Sequence, residues 1–157
     1  MAFEPAEADI GRRRPRPPRE GILTPPMIQR TLLVGIVLVA GTLGTFVWQL
    51  ATRADLAVAR SVAMTTMVLF QNAHIFNSRS FTRSAFRMNP LTNRFLFVSI
   101  VAALGLQVLA LYWDPIEFVL GTVPLPLDTW LVMIPVALTV VAAVEIDKAV
   151  RGVRDGR

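Results

Sequence analysis

The sequence contains no cysteine, one histidine and one tyrosine among its 157 residues. Without cysteine the chain has no disulfide, no thiolate metal ligand and no cysteine nucleophile. The single histidine also leaves no cluster of imidazoles and carboxylates from which to build a metal centre or a Ser-His-Asp arrangement. We therefore expect no catalytic residue on this chain.

Charge is scarce as well, since 17% of the residues are charged whereas 54% are hydrophobic. That is more apolar material than one small soluble core needs. Stretches without any charged residue lie at 31–52, 61–78, 95–113 and 129–144. Most of these stretches approach the roughly 20 residues that an α-helix needs to cross a bilayer. The last stretch is short, but it reaches this length if it extends over 127–147. A soluble bundle is disfavoured because its amphipathic helices would carry a charge every turn or two.

The composition therefore predicts an all-α membrane protein with transmembrane helices at about 31–52, 61–78, 95–113 and 127–147. Four spans form two hairpins, which place both termini and the middle loop on one side of the membrane. That side holds 14 of the 16 lysines and arginines: six precede the first span, four lie in the middle loop and four follow the last span. Because cytoplasmic loops are enriched in these residues, we predict that both termini are cytoplasmic.

The opposite side carries few cations and many helix breakers. Arg53 and Arg60 lie in its first turn, and its second segment contains Pro115, Pro124 and Pro126. Proline inside a helix removes a hydrogen bond and clashes with the preceding turn. We therefore expect no continuous helix between the third and fourth spans.

The chain divides into a basic, proline-rich cytoplasmic segment at 1–30, the transmembrane domain at 31–147 and a cytoplasmic tail at 148–157. A net charge of +5 raises the possibility of nucleic-acid binding. However, the run GRRRPRPPREGILTPP offers no aromatic side chains for base stacking. The run is expected to be a solvated linker, and a ligand for anionic lipid or for an SH3-type domain remains the alternative. We expect the lipid bilayer as the partner of the spans and no nucleic-acid partner.

Small residues recur one turn apart in the first span. Ala40 and Gly44 form one such pair, and Gly41 and Thr45 form another. Small side chains at this spacing let a neighbouring helix approach closely, and such packing is a main source of cohesion between helices in lipid. We predict that these four positions pack against another helix.

The segment LFQNAHIFNSRS is unusually polar for the end of an apolar run. At 100° per residue, Gln71, His74 and Ser78 fall within about 60° of one another on a helix. A polar group in hydrocarbon needs a partner, so this face is expected to look into a helix bundle or a hydrated cavity. The alternative is that these residues only bond to neighbouring helices or reach the headgroups.

Three stretches of the sequence together resemble a known family: TTMVLFQNAHIFNSRSFTRSAFRMNP, LALYWDP and FVLGTVPLPLDTWLVMIPVALTVVAAVEIDKAVR. They are similar to the carboxyl-terminal membrane region of P-type cation-transporting ATPases, most of all to the calcium-pump-like branch. The lead AFEPAEADIGRRRPRPPREGIL is similar to the cytoplasmic connection that follows the sixth membrane helix of these pumps. The resemblance extends from Phe3 to Arg151. It implies that the four spans are the last four of ten helices and support the ion-binding helices in transmembrane cation transport.

The resemblance also implies an ion site to which the eighth helix contributes one side-chain oxygen, at the position of Gln71. Calcium pumps with two sites place a glutamate there, so the amide leaves one-site or different-ion chemistry open. An amide oxygen can ligate a hard cation, although without a negative charge. Calcium is the family-level expectation for the cation.

The catalytic parts of such a pump have no counterpart in this sequence. The phosphorylation motif Asp-Lys-Thr-Gly-Thr does not occur in it, and neither does a nucleotide-binding domain. Phosphoryl transfer needs a positioned nucleophile and magnesium ligands. Mg-ATP and the transported cation are therefore expected to belong to the complete pump, with no cofactor on this chain.

Two versions of this hypothesis remain open. The chain is either a separate subunit that works with the catalytic part of a pump in the cell membrane, or a truncated remnant. The position of Met1, just after the missing sixth helix, favours the remnant. The alternative function is a free-standing four-helix scaffold or regulatory subunit that binds another membrane protein through Gly41 and Gly44. An autonomous channel is disfavoured because no ring of acidic residues lies within the spans.

Overall fold

The computed structural model describes residues 24–53, 55–78 and 93–154. Its elements are α1 (Pro25–Arg53), α2 (Leu56–Asn77), α3 (Arg94–Tyr112), α4 (Asp114–Leu120) and α5 (Leu127–Arg154). Within the described ranges all regular secondary structure is α-helical, which confirms the predicted all-α class. Most of the expected 1–30 segment, the basic middle loop and the end of the tail lie outside the described residues.

Side chains at the helix starts explain where two of the elements begin. Asp55 precedes α2, and its carboxylate accepts hydrogen bonds from the N–H groups of Ala57 at 2.8 Å and Val58 at 3.2 Å. Asn93 precedes α3 and accepts from the N–H group of Leu96 at 3.0 Å. Such capping satisfies N–H groups that have no partner inside the helix.

Three helices are long and apolar enough to cross a membrane, namely α1, α3 and α5. The helix α2, which contains the expected span 61–78, is not among them, because Ser61, Thr65, Thr66 and Gln71 and other polar residues lower its hydropathy. Three bounds also differ from the sequence expectation, and one of them is the start of α2 at Leu56 instead of 61. The helix α1 starts at Pro25, since a first helical turn tolerates proline, and α5 continues to Arg154.

A short helix occupies part of the segment in which we expected prolines to break any helix. Pro115 lies in the first turn of α4, where its missing N–H group costs no hydrogen bond. Gly121 ends α4 in the left-handed conformation, with φ 64°, and donates its N–H to the carbonyl of Glu117 at 2.8 Å. Pro124 and Pro126 follow in extended chain before α5. The prolines therefore set the limits of α4 and do not exclude it.

The helix α2 is central, because it packs against α1, α3 and α5. One buried cluster joins α1, α2 and α5 and consists of Val34, Phe70, Ala137, Val140 and Val144. A second cluster joins α2, α3, the chain before α5, and α5 itself; it consists of Val62, Leu111, Leu125 and Met133. Where protein excludes water, burial of a large side chain of this kind contributes roughly 1–3 kcal/mol to the stability of the fold. Where lipid surrounds the helices, close packing between the side chains holds the helices together.

Ion pairs at both ends hold α1 and α5 antiparallel. Near the start of α1, Arg30 pairs with Asp147 at 3.1 Å, and Arg151 pairs with the same carboxylate at 2.8 Å. Near the end of α1, Arg53 pairs with Asp128 at 2.5 Å, close to the start of α5. The pair Arg30–Asp147 is largely buried whereas Arg53–Asp128 is exposed. The first pair is therefore expected to contribute more to stability.

Candidate functional site

The helix α2 has one face that none of the described helices covers. We call this the open face of α2; it comprises the exposed residues Arg60, Met67, Gln71 and Ile75. Spacings of seven, four and four residues place them along one side of a helix. Val62, Thr66 and Phe70 are fully or almost fully buried on other sides of the same helix. The open face therefore has two polar residues on a helix whose other sides are packed.

Gln71 lies in the middle of this open face, between Met67 and Ile75. It makes no side-chain hydrogen bond with the described residues. Its amide thus points away from the interior that α1, α3 and α5 share with α2. The sequence located Gln71 on one side of a helix, and the structure shows that the helices in the described ranges leave that side uncovered.

The neighbouring polar residues are bonded within α2 itself. The Asn72 amide donates to the Val68 carbonyl at 2.8 Å. The Ser78 hydroxyl donates to the His74 carbonyl at 2.9 Å and lies 3.1 Å from His74 Nε2. His74 Nδ1 is buried without a partner among the described residues. Of the polar side chains described in LFQNAHIFNSRS, Gln71 is therefore the one presented to the outside.

Gln71 alone offers one neutral oxygen to a cation. In the described part of the chain, no three His, Asp or Glu side chains lie together in a way that could hold a metal ion. A calcium ion takes 6–8 oxygen ligands. Any cation bound at Gln71 would therefore need most of its ligands from other helices.

The predicted packing positions of α1 divide into two environments. A Cβ added at Gly41 would overlap the Phe70 ring, lying 2.6 Å from Cε2, and would come within 3.2 Å of Val136 Cγ1. Thr45 is buried and donates to Thr66 Oγ1 at 3.2 Å. Ala40 and Gly44 are exposed, and a Cβ at Gly44 would meet nothing within 4 Å. Gly41 and Thr45 thus face α2, whereas Ala40 and Gly44 face outwards.

The exposed pair borders a shallow apolar groove between α1 and α5. Ala40, Gly44 and Trp48 line it from α1, and Val132 and Val136 line it from α5. The groove has a volume of about 270 Å³. Its lining is apolar enough to accept an acyl chain or the side chains of another helix.

Several buried polar residues were missed by the sequence reasoning. Gln107 of α3 donates to Thr65 Oγ1 of α2 at 2.9 Å, and Thr65 donates to the Ser61 carbonyl at 2.7 Å. Gln49 of α1 is fully buried, and both polar atoms of its amide lack a partner among the described residues. A signal was present, because a lone amide in an apolar run is expected to face protein and not lipid.

Comparisons with known proteins all relate this chain to one family. A family model described as the C-terminus of cation-transporting ATPases matches residues 1–150. The chain is similar to a probable cation-transporting ATPase F of Mycobacterium bovis, with 34% identity over 98% of this chain. It is also similar to a calcium-transporting ATPase of Bacillus subtilis, with 28% identity over 85% of the chain. A human calcium-transporting ATPase type 2C member 1 is 29% identical over 99% of the chain.

The match covers a small part of each relative. The chain spans 17% of the mycobacterial and human proteins and 15% of the Bacillus protein. These relatives are therefore several times longer than the region that they share with this chain.

Proposed function

We propose that this chain is the membrane domain that supports the ion-carrying helices of a cation pump. The chain belongs to the family of cation-transporting ATPase C-terminal regions. The names of two relatives point to calcium as the cation. ATP hydrolysis and its magnesium then reside in a catalytic part that binds this domain. The domain contributes a scaffold and one cation ligand.

The open face of α2 is the observation that carries this proposal. A helix in lipid is expected to expose apolar side chains, as α1 does with Leu32, Ile36, Val39 and Leu43. The open face of α2 instead presents the Gln71 amide. An amide facing hydrocarbon costs free energy unless it has a partner. We infer that the ion-carrying helices of the catalytic part cover this face, and that Gln71 lends its oxygen to the cation.

We also propose that α2 crosses the membrane, so that four spans form two hairpins. It has 22 residues, which extend over about 33 Å at 1.5 Å per residue, close to the roughly 30 Å of the hydrocarbon core. Its polar side chains Thr65 and Thr66 bond to neighbouring helices, which lowers the cost of placing them in lipid. The distribution of arginines supports cytoplasmic termini, and we propose the cell membrane as the location.

The experiment uses a complete pump that contains this domain. Gln71→Leu should raise the cation concentration for half-maximal ATP hydrolysis by about tenfold, because one of few ligands is lost. Gln71→Glu should retain cation activation. Ile75→Leu is the matched control, since it alters the same open face without an oxygen atom and should leave the activation curve in place. Wild-type cation activation in Gln71→Leu would overturn the role of Gln71.

A second candidate is the scaffold or regulatory subunit, and the groove between α1 and α5 favours it. The test is Gly44→Leu, which places an apolar side chain in the groove from a position where an added Cβ meets nothing within 4 Å. Gly41→Leu is unsuitable because its side chain would collide with Phe70. If Gly44→Leu abolishes association with a membrane partner while Gln71→Leu leaves it intact, the scaffold function is the correct one. The pump function predicts instead that Gly44→Leu leaves association intact, and that Gln71→Leu alters cation dependence with assembly preserved.

A further inference from the structure

The segment between α3 and α5 is firmly attached to the helices beneath it. The Thr122 hydroxyl donates to the Ala110 carbonyl, and the Val123 N–H donates to Ser61 Oγ at 3.0 Å. The Tyr112 hydroxyl donates to the Leu125 carbonyl at 2.7 Å. Because α4 directly precedes these anchored residues and follows α3 after one residue, its orientation is fixed by contacts at both ends.

This fixed helix presents large apolar side chains to the outside. Phe118 is 90% exposed and Val119 is 79% exposed. A step of 100° per residue places Val119 about 140° from Asp114 and about 160° from Glu117. Phe118, by contrast, lies only about 40° from Asp114, at the border of the acidic side. Ile116 is half-buried against the rest of the chain. The helix α4 is thus amphipathic, with one acidic side and one uncovered apolar side.

The location of α4 indicates what covers its apolar side. It connects α3 and α5, both of which are apolar enough to cross a membrane. Exposed apolar residues continue from Leu109 near the end of α3 to Leu127 and Leu131 at the start of α5. Trp113 and Trp130 lie at the same level, where amphipathic rings favour the boundary between water and lipid. The apolar side of α4 is therefore continuous along the chain with surfaces that face lipid.

We propose that α4 lies in the headgroup boundary of the bilayer, with Val119 inserted towards the acyl chains and the acidic side turned to water. Residues 114–128 contain no cation, and whereas Asp128 pairs with Arg53, the structure gives Asp114 and Glu117 of α4 no ion pair among the described residues. Anionic lipid would repel these carboxylates, so the ligand is a neutral phospholipid such as phosphatidylcholine. The inference goes beyond cation transport and requires only that α3 and α5 cross the membrane.

The absence of cysteine from the chain allows a direct test. Val119→Cys and Asp114→Cys are each labelled with a fluorescent maleimide in the full chain reconstituted into phosphatidylcholine nanodiscs. Addition of lipid carrying a shallow nitroxide quencher should remove at least about half of the fluorescence at position 119, because an inserted helix lies about 5–10 Å into the boundary. The label at position 114 should instead be quenched by aqueous iodide.

Each outcome decides the proposal. Lipid quenching at 119 combined with iodide quenching at 114 supports it. Equal iodide quenching at both positions would show that α4 is fully in water and would overturn it. Protection of position 119 from both quenchers would show that protein covers this side, which would also overturn it.

Discussion

Gly41→Ala is expected to weaken the packing of α1 against α2 and α5. The added Cβ would overlap the ring of Phe70 and lie 3.2 Å from Val136 Cγ1. Phe70 is fully buried in the cluster with Val34 and Val140, so its ring has no free space into which to move. Overpacking of this kind costs roughly 1–3 kcal/mol.

Gly44→Ala is the matched control, because it lies one turn away on α1 and its Cβ would meet nothing within 4 Å. Replacing an unstrained helical glycine by alanine stabilises the helix by about 0.5–1 kcal/mol. Because both variants gain this helix propensity, their unfolding free energies should differ by the overpacking cost alone, roughly 1–3 kcal/mol. Helix packing against Phe70 accounts for the whole of this expected difference.

The assay is reversible unfolding of the full chain in mixed micelles, in which the denaturing detergent is titrated and helicity is followed by circular dichroism. A double-mutant cycle with Phe70→Leu isolates the clash. The smaller side chain should recover part of the stability that Gly41→Ala loses, with a coupling energy of about 0.5–3 kcal/mol. Equal stability of Gly41→Ala and Gly44→Ala, or independent effects in the cycle, would refute the reasoning.

Other contacts give further predictions in the same unfolding assay. Gln107→Leu removes the bond to Thr65 and should cost about 0.6–1.7 kcal/mol, as measured for hydrogen bonds between membrane helices; a gain in stability would show that the bond is not formed. Arg30→Gln breaks a largely buried pair with Asp147 and should cost roughly 1–3 kcal/mol. Arg53→Gln breaks an exposed pair and should cost at most about 1 kcal/mol. A larger loss for Arg53→Gln than for Arg30→Gln would contradict this order.

The helical class could be predicted from the sequence because charge-free runs approach the length of a membrane span. The same reasoning could not predict α4. It treated Pro115 as a helix breaker, although proline in a first turn costs no hydrogen bond. The span at 61–78 in α2 was predicted from missing charge alone, and it stays a prediction. Uncharged polar residues such as Thr65 and Gln71 lower the hydropathy of α2 and are invisible to a count of charges.

The candidate site was predictable in position but not in environment. Helical periodicity placed Gln71 on one side of α2, and the family resemblance gave it a role. Neither could tell whether another helix of this chain covers that side, because periodicity defines a face without its neighbour. The bond from Gln107 to Thr65 was likewise beyond sequence reasoning, since it joins residues from separate helices whose register is set by packing.

The central claim is that this domain supports cation transport by a pump. The most direct measurement is cation-stimulated ATP hydrolysis in membranes that contain the catalytic part of a matching pump, prepared with and without residues 1–157. The account predicts hydrolysis that responds to calcium only when the domain is present, because the ion-carrying helices need the open face of α2. Equal calcium-stimulated hydrolysis in both preparations would contradict it.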